Sequence, residues 1–351
     1  MDSLDLDDAR KRYRHALPPE DHERLPFYTS LLGAFEEDEL ALRLLAGVRA
    51  EQRNPMLVLA TLHLAALRGH DGLRSIYDDA RHGRLEDVER AARGVLEVVH
   101  DSPELVSDEL WRSTQTNEPG RSAVLQAVVV DVADAWSEAI NVVEIGCSAG
   151  INLRFDQFPV RKVDDGNPLT LVCEDLTAID RGRALPAVGA RVGIDPQPLD
   201  LGNVEDRLWL KACLWPEERR RHDRFDAVVG SYPGWPQATV LKGTVEERLA
   251  DALALFDENA PTVVFNTWAA FYFTPDEQRG YFTEMTRRCL KGNVAWISME
   301  ATTVKWPGVE RGGAAHPKRA SQIVVARPGS SPVRWGWCHP HGRWIERITL
   351  P

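Results

Sequence analysis

Cysteine, methionine and surplus positive charge are scarce in this chain. Its 351 residues hold five cysteines (Cys147, Cys173, Cys213, Cys289, Cys338) and four methionines. The cysteines are odd in number, scattered and free of any Cys-x-x-Cys pair, which excludes a disulfide framework and the usual paired-thiol metal motifs. They read as reduced thiols of a cytoplasmic protein. Lysine and arginine number 42 against 53 aspartate and glutamate, a net charge of −11. That balance argues against nucleic acid as the main partner, because phosphate binding needs a basic footprint. Long apolar runs are missing too. Met56 to Leu67 is apolar but well short of the roughly 20 residues that cross a bilayer, and the acidic N-terminus lacks a signal-like apolar stretch. No repeat or low-complexity tract is present. A soluble protein with no membrane partner is expected.

Tryptophan is abundant: 11 residues, most of them after residue 200. Indoles bury a large flat surface and keep one donor to satisfy, so most are expected in the core or in subunit contacts, with one or two free to wall a pocket. The length suits two domains. Residues 1–110 read as helical, with Leu31, Leu32, Phe35, Leu40, Leu44, Leu45 and Val48 recurring at three and four. Asn54-Pro55 supplies a cap and first position for the next helix, Gly69 closes it, and Gly72, Gly83 and Asp101 to Pro103 mark breaks. This part is expected to be a helical cap that carries substrate specificity. Residues 111–351 alternate strands and helices. They predict an α/β fold with a doubly wound, mostly parallel sheet and an antiparallel C-terminal hairpin turning at His339 to Gly342. Strands are expected at 141–145, 190–195, 239–241, 261–265, 294–299 and 321–326, and an irregular insert at 155–190. Phe225 to Trp235 resembles a strand ending in a Pro-aromatic motif that holds a target nitrogen; the charges from Glu217 to Asp226 favour a helix instead.

Asn141 to Leu153 carries the most chemistry. A strand ends on Glu144, glycines follow at 146 and 150, and the apolar residues beyond read as a helix. Glycines let such a turn adopt left-handed dihedrals and let a ligand approach its amides, the arrangement by which open α/β sheets bind nucleotides. Read as Glu-x-Gly-x-x-x-Gly, the turn looks like the first motif of class I S-adenosylmethionine (SAM) methyltransferases. Read as Gly-x-Ser-x-Gly around Ser148, it fits a hydrolase nucleophile elbow, with His222, His316, His339 and His341 downstream as bases. Glu144 favours the first, since a carboxylate closing the strand suits a cofactor amine. Cys338, His339 and His341 are too close together for a common zinc spacing and read as a turn, so no metal is expected.

Thr114 to Arg121, the turn at 144–153, Arg191 to Asp195, Trp209-Leu210 with Leu214 to Pro216, Val263 to Tyr272 and His339 to Trp344 occur in this order. On these motifs the chain resembles a bacterial family catalogued as domain of unknown function 2332, from about residue 27 to the end. That family is similar to SAM-dependent methyltransferases in its C-terminal half. The resemblance implies SAM as cofactor and a small-molecule substrate in bacterial secondary metabolism. Gly146, Cys147, Ser148 and Gly150 would form the cofactor loop, Asn152 would add a donor, and Glu144 would order the loop or accept from the cofactor amine. Asp195 is the candidate for the ribose hydroxyls, or else a helix cap. Arg121 would bind a carboxylate through two prongs and Glu118 would act as a base, or the two form a helix cap with a surface arginine. Asn266, Trp268 and Tyr272 follow the fourth strand, where an amide orients an amine and an indole shields a cation.

Two positions depart from the family pattern. Gly243-Thr244 stands where the family has Gly-Asp, and Asn266 where it commonly has histidine. They raise a second reading in which methyl transfer is lost and the scaffold closes an aziridine-type ring by internal displacement on a sulfated amino-acid precursor. A sulfotransferase or carrier protein would then be the protein partner. A third reading is a non-enzymatic partner that stabilises another protein.

Overall fold

The computed structural model describes residues 3–49, 52–175, 184–309 and 320–348. His316 and its neighbours lie outside them. The chain divides into two units, Met1–Thr116 with Asp200–Asp226, and Asn117–Leu199 with Ala227–Pro351. The first unit is helical: α1 (Ser3–Arg14), α2 (Pro26–Glu37), α3 (Glu39–Ala46), α4 (Pro55–Leu67), α5 (Asp71–His82), α6 (Val88–Asp101) and α7 (Glu104–Ser107). Helix α4 is its axle. Asn54 accepts the Met56 N–H at 3.0 Å and Pro55 holds the first position. Its sequence is apolar all round, so it packs against α3, α5 and α7 at once. Gly72 lies inside α5, and the break falls at Gly69 (φ +94°) and His70.

The boundary expected near 110 falls at 116, and the helical unit also claims a stretch far along the chain. Helix α8 (Arg121–Val132) belongs to the second unit, whereas α9 (Val204–Ala212) packs on α4. The cause is polar and buried. His63 on α4 donates from Nδ1 to the carbonyls of Ala212 and Leu214, both at 3.1 Å, and Trp209 Nε1 donates to Ser113 O at 3.0 Å. The Glu217 carboxylate accepts the Phe27 and Tyr28 amides (2.7 and 3.2 Å), satisfying first-turn donors of α2 that its own cap residue, Leu25, leaves unbonded.

The second unit is a nine-stranded sheet with a small ribbon beside it. Its strands are β1 (Ile140–Ile145), β2 (Val160–Arg161), β3 (Leu171–Val172), β4 (Glu174–Asp175), β5 (Val188–Asp195), β6 (Thr239–Lys242), β7 (Thr262–Thr267), β8 (Val294–Ala301), β9 (Ser321–Ala326), β10 (Val333–Cys338) and β11 (Trp344–Arg347). The large sheet runs β4-β11-β10-β9-β8-β7-β1-β5-β6, and β2 pairs with β3 alone. From β6 to β8 neighbouring strands are parallel; β9, β10 and β11 then turn back and forth antiparallel. The charged stretch after residue 217 forms α10 (Arg219–Ser231), not a strand. α11 (Val245–Leu253) and α12 (Pro275–Lys291) cover one face, burying Val143, Ile145, Val192, Ile194, Val264 and Trp296. Helix α8 and a 3-10 turn, Asn152–Gln157, lie against the other.

After β1 the chain moves outward through β5 and β6, then returns to β7 on β1's opposite side. Strand order therefore reverses between β1 and β7, and the carboxyl edge there is where open α/β sheets hold ligands. One local expectation is corrected. The residues after Gly150 form a 3-10 turn, not an α-helix. Arg154 Nη1 occupies the Gly150 carbonyl (2.7 Å) that the Arg154 amide would need for an α-helical bond, and that amide bonds Ile151 O instead. Pro159 then holds Phe158 extended and ends the turn.

Candidate functional site

The turn after β1 is tightly constructed. Gly146 (φ +73°) and Gly150 (φ +68°) are left-handed, and a Cβ on Gly146 would collide with the Ala269 methyl. Its amides are largely used internally. Gly146 and Cys147 donate to Ile194 O, Gly150 donates to Cys147 O, and Ser148 donates to Asp195 Oδ2 at 2.8 Å. Asn117 accepts the Ile151 amide (2.9 Å) and donates to Cys147 O (3.1 Å). Between 146 and 150 only the Ala149 N–H has no partner among the described residues. The expectation of a row of open amides is therefore corrected: the protein's own oxygens occupy them.

Asp195 is not a helix cap, and each of its oxygens accepts one amide. Its second oxygen takes the Gln197 amide at 2.8 Å, and the next helix starts at Val204 under Asn203. Burial pushes its carboxyl up, against the pull of the two amides. Cys147 is a core group. It fills the space where a Cβ on Gly193 would stand, and burial holds its thiol far above the reactive range, with Glu144 and Asp195 adding to the effect.

Two distant motifs meet beside this turn. The Glu118 carboxylate accepts the Gly120 N–H at 3.0 Å. Arg121, expected on the surface or on a ligand carboxylate, is buried, and donates to Pro340 O and Thr267 O, both at 3.1 Å. A Cβ on Gly342 would overlap the Gly120 carbonyl, and one on Gly120 would overlap His341 O. Two backbones can approach this closely only as glycine on glycine. Asn117 and Arg121 thus tie three motifs together: the turn after β1, the end of β7 and the His339 to Gly342 turn. Gln115 falls in the helical unit, where its amide donates to Cys213 Sγ.

At the end of β7 the expected roles separate. Asn266 is fully buried with both ends occupied. It donates to Ser298 Oγ (3.0 Å) and Glu300 Oε1 (2.7 Å) and accepts from Tyr281 OH (2.9 Å) and Trp296 Nε1 (3.0 Å). It is a node of the core, so its proposed orientation of an amine is corrected. Trp268 has φ +57°, donates from Nε1 to Ser321 Oγ and stands 5.7 Å from the Phe271 ring. Phe271 and Tyr272 are 45% and 61% exposed and meet edge to face. Glu300, absent from the sequence reading, holds this loop. Its carboxylate accepts the Ala269, Ala270 and Phe271 amides at 2.9, 3.0 and 3.1 Å. Burial raises its pKa, opposed by those donors. An acid near the end of an apolar strand was the available signal, the same one that marked Glu144 and Asp195.

Glu144 differs from the other two. It is wholly buried, neither oxygen has a hydrogen-bond partner among the described residues, and its pKa is driven well above the usual range by burial and then by Asp195. Arg121, Arg154 and the Leu153 amide pull the other way. Asn152, close by in sequence, takes the Ser122 hydroxyl on its oxygen, and its Nδ2 is likewise unpartnered. Two of the downstream histidines are engaged elsewhere: His222 donates to Trp215 O within the helical unit, and His339 Nδ1 accepts the His341 amide. Thr244 is the cap of α11, in a reciprocal box with Glu247. Among the described residues no group of His, Cys, Asp or Glu could hold a metal ion, and no helix is long and apolar enough to cross a membrane.

Sheet and edge together define a mixed, mostly parallel α/β protein preceded by helices, with its most elaborate polar construction at the point of strand reversal. The chain belongs to the family described as uncharacterized proteins conserved in bacteria, DUF2332, whose model it matches over residues 10–347. No curated protein shows a significant match to it.

Proposed function

We propose that the protein is a small-molecule enzyme of methyltransferase type, working at the carboxyl edge of β1 and β7 with SAM as methyl donor. One observation carries this reading. Ser148 and Trp268 are the two non-glycine residues with left-handed backbone among those described, and they follow adjacent strands at the reversal point. Left-handed backbone costs roughly 1–2 kcal/mol per non-glycine residue and is retained where the surroundings over-determine it, commonly at ligand sites. Here Gly146 packed on Ala269, and Glu300 on three amides, supply that determination.

The residues fit the cofactor at one end. The Glu144 carboxyl, which keeps lone pairs free of any hydrogen bond of good geometry, suits its amine, and Asp195, with one amide on each oxygen, keeps capacity for hydroxyl donors. Its carboxylate finds little, since the turn's amides and two Arg121 donors already have partners. When bound, SAM supplies a methyl group on a cationic sulfur. The chain's own part is positioning and exclusion of water, with Trp268 and Tyr272 as walls and Glu118 as the nearest assigned base. The ring-closing alternative rested on Thr244 and Asn266. Both are occupied structurally, which leaves that reading without a residue of its own. Isothermal titration with SAM and S-adenosylhomocysteine tests the proposal. Micromolar binding is expected; the absence of heat with either would remove the cofactor and with it methyl transfer.

A further inference from the structure

Among the described residues, the amide clusters of the carboxyl edge are filled from within. Wherever successive amides converge, a protein oxygen fills the concavity: Asp195 at Ser148 and Gln197, Asn117 at Ile151, Glu118 at Gly120, Glu300 at Ala269 to Phe271. Such concavities are what an open sheet offers to phosphate, sulfate or carboxylate, and here each is closed from inside. Among the described residues two guanidiniums, Arg121 and Arg154, stand at this edge, and both bond main-chain carbonyls.

What the edge does expose is aromatic. Phe271 and Tyr272 stand out from the short loop that Glu300 secures, next to Trp268. The Arg121 guanidinium already lies 5.9 Å from the Trp268 ring, so another positive charge is better placed over Phe271 and Tyr272. An aromatic face carries negative quadrupole density, which attracts a positive charge placed over it. We propose that Phe271 and Tyr272 form a site for an organic cation, an alkylated or protonated amine, and that the enzyme's small-molecule substrate belongs to this class and not to sulfate or phosphate esters. This rests on the small-molecule reading above and narrows its substrate.

The test uses the full-length protein and choline chloride as probe, read by saturation-transfer NMR at fixed ionic strength. Dimethylbutanol, its uncharged carbon analogue, is measured beside it. Choline is expected to bind several-fold tighter than the analogue. Phe271→Ala and Tyr272→Ala, both exposed positions that leave the fold intact, should each weaken it about two- to fivefold, whereas Tyr272→Phe should retain most of the affinity. Sodium sulfate should not displace it. Equal binding of the uncharged analogue, undiminished binding by both alanine variants, displacement by sulfate, or no choline signal would each overturn the proposal. SAM calorimetry run in parallel separates the two claims. Choline binding without SAM heat strikes the cofactor alone, and SAM heat without choline binding strikes the cation site alone.

Discussion

Acidification tests the packing of the helical unit quantitatively. His63 and His222 are buried there with their rings 5.5 Å apart, and His63 also stacks on Tyr77 at 5.1 Å. Burial lowers their pKa values to about 4 and about 2, with Arg81 and Lys211 adding repulsion to both and His63 to His222. Both are neutral in the folded unit at pH 7, while the unfolded chain protonates near 6.5. Stability is therefore complete above that pH and falls as pH drops, because the unfolded state takes up protons that the folded one refuses. At about 1.4 kcal/mol per pH unit, each histidine removes about 2 kcal/mol between pH 7.5 and 5. Glu217 works oppositely. Burial raises it to about 7, so the folded unit protonates first and recovers about 2 kcal/mol over the same interval. A bare pH profile thus mixes opposed terms. His222→Gln separates them, since a glutamine amide can still donate to Trp215 O but cannot titrate. Hydrogen exchange of the α4 amides reads the unit's opening free energy. The variant should gain about 2 kcal/mol relative to wild type on going from pH 7.5 to 5. A gap that stays constant within about 0.5 kcal/mol would mean that His222 is protonated, or reached by water, in the folded state, and the reasoning fails.

Two further outcomes concern the sheet unit. Gly342→Ala places a methyl against the Gly120 carbonyl at a left-handed position (φ +71°). Strain and overpacking together should cost about 2–5 kcal/mol, visible as a large fall in thermal midpoint; a wild-type midpoint would show that the two motifs do not touch. Glu300→Gln replaces one acceptor oxygen by a donor facing amides already committed to it. A loss of about 1–3 kcal/mol is expected by chemical denaturation, and an unchanged midpoint would contradict the role given to Glu300.

Local pattern made much of this legible. Asn54-Pro55 announced α4, and alternation with turn residues located β1, β5, β7, β8 and the final hairpin, because cap chemistry and side-chain period are properties of a few consecutive residues. What could not be read depends on groups brought together from afar. Nothing in residues 200–226 says that a histidine at 63 will hold the carbonyls of Ala212 and Leu214. Asn266 follows a buried strand and invites a catalytic reading until Tyr281, Trp296, Ser298 and Glu300 are seen to occupy it. Arg121 illustrates the same limit: its motif marked it as special, but its partners, Pro340 and Thr267, lie more than 140 positions away.

The acids near the strand ends show how one sequence signal serves unlike purposes. Glu144, Asp195 and Glu300 all sit at or near the carboxyl ends of buried strands. Asp195 and Glu300 hold the turns that follow β1 and β7 by accepting amides from neighbouring loops, and in doing so close the places where an external anion would dock. Glu144 makes no hydrogen bond of good geometry, and only the Leu153 amide pulls on it as a backbone donor. Leaving a buried carboxyl unbonded costs on the order of 1–3 kcal/mol, more if it is charged, and the fold could have removed that cost with an apolar residue of similar size.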